Sequence, residues 1–283
     1  MFSKMNKNWF ELNAFPSNMG LTVYFKNITE RKLSESKLKN MNRSLEAHVK
    51  ELAISNEELE QFAYVASHDL QEPLRMITSF LTQIEKKYEG VLDEKGKKYI
   101  FFAVDGAKRM RQIILDLLEF SRVGKSEKKM EEIDLNLIVQ EIVLLYRKQI
   151  EEKKAIIIFK NLPTIRCYLA PIKQLFQNII GNSLKYAKSH VSPVINITAK
   201  ETAHEFKFTI QDNGIGIDKE YFDKIFILFQ RLHNKDEYSG TGMGLAITKK
   251  IIEKLGGRIW VASEEGVGAS FHFIIPKKQN KKA

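Results

Sequence analysis

Residues 171–188 read PIKQLFQNIIGNSLKYAK. Ile172, Leu175, Phe176, Ile179, Ile180 and Leu184 recur at three- and four-residue intervals and form the apolar stripe of a helix. Asn178, Asn182 and Lys185 fall at i, i+4 and i+7, stacked on the opposite side. Asparagine is a poor helix former because its carboxamide competes for backbone hydrogen bonds. Two carboxamides one turn apart above a lysine are therefore either a solvated face or a cluster set out for a ligand. Such oxygens suit Mg²⁺, which keeps waters and binds phosphates alongside few protein ligands.

The segments on both sides mix strand and helix. Upstream, 135–152 is expected to be helical and 155–159 a short strand. Downstream, strands are expected at 194–200 and 205–211, the second alternating Phe206, Phe208 and Ile210. A helix at about 243–255 stops at Gly256–Gly257, a C-cap signal, and a closing hairpin joins 258–263 to 269–275 through EEGVG. This order predicts an α+β fold whose sheet is covered by helices on one face.

Two glycine runs sit in this region. Asp212-Asn213-Gly214-Ile215-Gly216-Ile217 follows a strand, and Gly240-Thr241-Gly242-Met243-Gly244-Leu245 leads into a helix. Glycines let the backbone approach a ligand, and amides at a helix N-terminus attract phosphate oxygens. Either run alone is explained by a tight turn. Neither fits the P-loop or the dinucleotide-binding fingerprint.

The N-terminal part has other periods. Residues 9–29 alternate aromatic and β-branched side chains around Pro16–Gly20, which predicts a β-hairpin. From about Glu30, Leu38, Leu45, Leu52, Leu59 and Ala66 recur every seven residues, with Met41, His48, Ser55, Phe62 and Asp69 in a second row. That seam predicts a parallel dimeric coiled coil. The helix is expected to run to about Lys87, and YEGVLDEKG to connect it to a second helix near 95–121. Two such hairpins, dimerised, would make a four-helix bundle. Within the first helix, Pro73 lacks an N–H, so the Asp69 carbonyl loses its partner and a bend beside His68 is expected.

Composition narrows the class. The 283 residues allow about two domains. Apolar residues at 43% and charged residues at 28% describe a folded chain and not a disordered one. The longest apolar stretches, such as 225–229, have five residues, against ~20 for a membrane span, and the start carries no signal-peptide h-region. One cysteine, Cys167, excludes an internal disulfide and a Cys-based zinc cluster, which fits a cytoplasmic setting. The net charge of +10 invites nucleic acid as a partner, but lysines lie spread among acids, the one dense run being Lys277, Lys278, Lys281 and Lys282. A solvated surface and no nucleic-acid partner are expected.

Taken in order, N-x-x-x-N, D-x-G-x-G-I, an aromatic segment with Phe222, Phe226 and Phe229, and G-T-G-x-G-L resemble the ATP-binding domain of sensor histidine kinases, type II topoisomerases, Hsp90-type chaperones and mismatch-repair ATPases. QLFQNIIGNSLKYAK, DNGIGID and GTGMGLAI are similar to the histidine-kinase branch. The resemblance implies ATP and Mg²⁺, with Asn182 as main metal ligand and Asn178 beside it. It implies that Lys185 contacts phosphates, Tyr186 lines the nucleotide and Asp212 accepts from the adenine amino group. Gly214, Gly216, Ile217, Gly240, Thr241, Gly242, Gly244 and Leu245 would complete the site, and 219–239 would form a mobile lid.

Residues 66–75, ASHDLQEPLR, resemble the phosphoacceptor box of the same family. The resemblance implies that His68 takes the γ-phosphoryl group, that Asp69 holds the imidazole N–H and accepts its proton, and that an aspartate of a response-regulator receiver domain is the next acceptor. If the heptad register holds, Ala66 and Asp69 lie in the seam and His68 points outward. The other five histidines read as surface residues. Many kinases of this superfamily carry Thr or Asn four residues after the histidine, where it aids dephosphorylation of the partner; Glu72 stands there in this sequence. Residues 26–32, KNITERK, resemble the exit of a PAS sensor domain, with Asn27 in place of the usual acid.

The expected organisation is a PAS-like hairpin remnant (1–29), a coiled coil (30–60), a dimerisation and phosphotransfer domain (61–126), an ATP-binding domain (130–277) and a basic tail (278–283). A dimeric signalling scaffold without catalysis, an ATPase clamp and a basic nucleic-acid binder are the alternatives from other classes.

Overall fold

The computed structural model describes residues 2–3, 8–17, 20–123, 130–230, 232 and 240–277. The basic tail, the 124–129 link, Arg231 and the 233–239 part of the expected lid lie outside the described residues.

The chain divides into two units, Met1–Phe62 and Ala63–Ala283. The first opens with an antiparallel sheet, β1 (Phe2–Ser3), β2 (Asn8–Ser17) and β3 (Gly20–Asn27), where a two-stranded hairpin was expected. Pro16 pairs with Leu21, so the turn is tighter than Pro16–Gly20. Helix α1 (Thr29–Lys87) then begins, and its seam residues Leu38, Leu45 and Leu52 are exposed. The side chains of Leu59 and Phe62 are outside what is described.

In the second unit, α1 continues through Pro73, and α2 (Glu94–Arg122) starts at Asp93, whose carboxylate accepts from the Gly96 amide. Leu74, Ala107 and Ile114 form a small apolar core between the two helices. No described helix is long and apolar enough to cross a membrane.

The remainder is an α/β sandwich. A short antiparallel pair joins β4 (Glu131–Asp134) to β6 (Thr164–Cys167). The main sheet holds β5 (Ile156–Phe159), β7 (Val194–Glu201), β8 (Glu205–Asp212), β9 (Arg258–Glu264) and β10 (Gly268–Pro276) in the order β5-β7-β8-β10-β9. Only β5 and β7 run parallel. Alternate residues of the sheet, among them Ile197, Phe208, Ile210, Phe271 and Phe273, are buried with α3 (Leu135–Leu145), α5 (Leu169–Lys185) and α6 (Gly244–Lys254). Phe176, from α5, meets Phe208 and Phe273 edge-on at 6.2 and 5.8 Å, while those two rings stack at 4.8 Å.

Two expected helices differ. The one at 135–152 breaks at Tyr146 (φ −93°, ψ 11°), giving α3 and a short α4 (Arg147–Lys153). The one at 171–188 begins two residues earlier and ends at Lys185, because Tyr186 leaves helical geometry as the cap. The closing signal holds: Gly256 has φ +78°, and the Gly257 amide reaches the Ile252 carbonyl at 2.9 Å.

Candidate functional site

Helix α5 buries its apolar stripe against the sheet, so the opposite side carries Asn178, Asn182 and Lys185 toward a cavity of about 480 Å³. Every residue expected at the nucleotide site lines this cavity except Gly214, which shapes the turn beside it.

Asp212 ends β8 at the cavity wall. One of its oxygens accepts from the Ser183 hydroxyl at 2.9 Å; the other accepts from the Gly214 amide at 2.9 Å and the Ala269 amide at 3.2 Å. The carboxylate is thus fixed by donors from α5, its own loop and β10. A side chain at Gly214 would press on the Tyr186 carbonyl, its Cβ falling 2.7 Å away. Gly216 (φ +77°) is still tighter, since a Cβ there would lie 2.1 Å from the Glu264 carbonyl oxygen. Around it, the Ile215 amide bonds Tyr186, the Gly266 amide bonds Ile215, and Ile217 bonds the Ser263 hydroxyl.

The second glycine run approaches from the other side. Gly240 has φ +137°, which disfavours any other residue, and a Cβ there would lie 2.9 Å from the mobile end of Lys185. Lys185 Nζ also donates to Tyr186 Oη at 2.8 Å. Asn178 is not wholly given to the cavity: its Nδ2 donates to the Gly244 carbonyl at 2.9 Å and reaches Thr248 at 3.4 Å, tying α5 to the start of α6. The hydrogen bond described for Asn182 is at its backbone carbonyl, which accepts from the amide of the cap residue Tyr186. Glycine cradles, a lysine, two carboxamides and a fixed carboxylate form a donor set that fits Mg²⁺-nucleotide. Among the described residues no cluster of three or more His, Cys, Asp or Glu offers an alternative metal site.

Several lining residues were not expected. Tyr146 projects from the α3–α4 break toward Gly181, where a Cβ would meet its hydroxyl at 2.7 Å, and burial pushes its phenol up. From α2, Gln112 and Asp116 also line the cavity, and Asp116 accepts from the Thr241 hydroxyl. No local sequence signal marks these residues, because they arrive by packing between elements distant in the chain.

Of the expected lid, 219–230 and 232 are described. The segment forms single turns at Lys219–Tyr221 and Lys224–Phe226, with Ile225 buried and Tyr221, Phe222 and Phe226 packed on the core. In α1, Asp69 is exposed; the His68 side chain lies outside the described residues, so its outward direction stays an expectation.

Residues 58–126 match the family described as "His Kinase A (phospho-acceptor) domain", and 169–279 match "Histidine kinase-, DNA gyrase B-, and HSP90-like ATPase". Cyanobacterial phytochrome A from Nostoc sp. is 44% identical over 226 residues, covering 80% of this chain and 29% of that protein. The crystal structure of full-length ShkA in complex with AMPPNP superimposes with a TM-score of 0.58 at 23% identity, over 76% of this chain and 45% of that one. Histidine kinase ThkA, solved in complex with response regulator protein TrrA, gives 0.52 at 23% identity, over 99% of this chain and 79% of that one. The chain thus spans under a third of the length of its phytochrome relative.

Proposed function

The chain belongs to the sensor histidine kinases, and from that premise we propose that it phosphorylates His68 from Mg-ATP and passes the phosphoryl group to an aspartate of a response-regulator receiver domain. The observation that carries the proposal is the convergence of Asp212, Asn182, Lys185 and both glycine runs on one cavity, in a chain whose first long helix bears His68-Asp69.

The roles follow from chemistry. Asp212, held by three donors, keeps a carboxylate oxygen for the exocyclic amino group of adenine; guanine presents no donor there. Lys185, free to swing from the Tyr186 hydroxyl, faces the phosphates. Asn182 and the Asn178 oxygen would hold Mg²⁺, which supplies charge neutralisation on the transferring group. His68 attacks with the lone pair of its distal ring nitrogen. A nitrogen–phosphorus bond forms, the bond from the γ-phosphorus to the bridging oxygen breaks, and ADP leaves. Asp69 accepts the proton from the other ring nitrogen as charge develops. Dimerisation through the exposed seam of α1 and a four-helix bundle of α1 and α2 supports the geometry of transfer.

Incubation with γ-labelled ATP and Mg²⁺ tests this. The expected product is acid-labile, base-stable label that His68→Ala abolishes while nucleotide binding and dimerisation persist. Acid-labile label at wild-type level in His68→Ala would overturn the assignment.

A further inference from the structure

We infer that Asp116 of α2 occupies the phosphate end of the nucleotide cavity as an internal anion, and that ATP must displace it. The inference rests on the nucleotide reading of that cavity and adds a competitor to it.

Asp116 is held at both oxygens. Gln112 Nε2 donates to one at 2.7 Å, and the Thr241 hydroxyl donates to the other. Thr241 stands between Gly240 and Gly242, both with positive φ, just ahead of α6. Met243 caps that helix without a side-chain hydrogen bond. The Asp116 carboxylate, from another element, reaches this stretch through the Thr241 hydroxyl. A second tether lies outside the cavity: Lys250 Nζ donates to the Phe120 carbonyl at 2.8 Å and sits 4.1 Å over the Phe120 ring. Negative charge is already dense on this stretch of α2, where burial and Asp116 push the Glu119 carboxyl up.

A threonine hydroxyl has one proton to donate, so Asp116 and a phosphate oxygen cannot both receive it. A triphosphate entering beside Lys185 also repels the Asp116 carboxylate. Nucleotide entry and docking of α2 on α6 therefore exclude each other at Thr241. The empty site holds the ATPase domain against the phosphoacceptor hairpin, and filling it frees that domain to carry ATP toward His68.

Calorimetric titration of the full chain with a non-hydrolysable ATP analogue and Mg²⁺ tests this. If the docked state dominates, apparent affinity is reduced by the undocked fraction. Asp116→Ala is expected to tighten binding about fivefold to tenfold, with Asp116→Asn, which keeps an acceptor but no charge, between it and wild type. Lys250→Met is expected to tighten binding about threefold, since it loosens docking without touching the cavity. Tightening by Asp116→Ala alone would overturn displacement, leaving only charge repulsion within the cavity. Binding by wild type with no gain in either variant would overturn the whole inference. Absence of binding by wild type would instead count against the nucleotide reading itself.

Discussion

Ser183 donates its hydroxyl to Asp212 at 2.9 Å across one end of the cavity, so the carboxylate that would read adenine is oriented by the same helix that carries Asn182. Asp212→Asn replaces an acceptor facing two backbone amides by a group that can also donate. Loss of one charge-assisted contact costs about 2 kcal/mol, so adenine nucleotides are expected to bind roughly thirtyfold more weakly, equally with and without Mg²⁺. Ser183→Ala is expected to give a smaller loss with the same Mg²⁺ independence. Calorimetry in both conditions checks the equality.

Asn182 and Asn178 should separate by assay. Asn182→Ala is expected to weaken Mg-ATP roughly tenfold, the low end for a lost metal-site group, with little effect on metal-free ATP or on melting. Asn178→Asp turns a donor toward the Gly244 carbonyl into a carboxylate, and about 2 kcal/mol of stability should go. Equal losses with and without Mg²⁺ for Asn182→Ala would refute the division.

Two glycines of similar φ make a controlled pair. Gly216→Ala forces a Cβ onto the Glu264 carbonyl, whereas at Gly266 (φ +76°) nothing lies within 4 Å. Gly266→Ala should cost about 1 kcal/mol from backbone strain alone, and Gly216→Ala roughly 3 kcal/mol together with nucleotide binding. Denaturant unfolding of the two variants would contradict the packing argument if their losses were alike.

His272 sets a pH dependence. It stacks on Trp260 at 5.4 Å and shares a 2.9 Å hydrogen bond with Thr209. Desolvation first, and the Lys207 charge second, hold its imidazole below the ordinary value of 6.5. The unfolded chain therefore takes up the proton first on acidification. The stability owed to neutral His272 is complete above about 6.5 and is lost as pH falls below it. His272→Phe, which keeps a ring against Trp260, is expected to flatten the fall between about pH 7 and 5, read by melting temperature.

Much of this was legible because glycine and asparagine are costly where no ligand or turn demands them. The glycine runs, the α5 stripe and the alternation of β8 announced both the sheet and the cavity wall. The break at Tyr146 was hidden, since Leu144, Leu145 and Ile150 continue a helical pattern through it. Strands β4 and β6 have four residues each, too few for alternation to register. Asp116 was invisible for another reason: one acid on a charged helix gains meaning only when α6 packs beside it.

Glu72 offers a test of a separate reaction, hydrolysis of the receiver's phospho-aspartate. It is exposed in α1 one turn beyond His68. A carboxylate there repels an incoming phosphoryl group by ~1 kcal/mol at ~4 Å in water, more in a closed interface. Little phosphatase activity toward a phosphorylated receiver is expected, with a gain on Glu72→Thr. Fast decay of the phosphorylated receiver with the wild-type chain would refute this.

Pro73 stands inside α1 and withholds the N–H that the Asp69 carbonyl would otherwise receive. The turn beside His68 is therefore the notch in a long beam. Any torque applied along α1 is least resisted there, so strain collects within one turn of His68 while the flanking turns behave as stiff material. Mechanical compliance is thus written into the covalent chain within about one turn of the residue proposed to take the phosphoryl group.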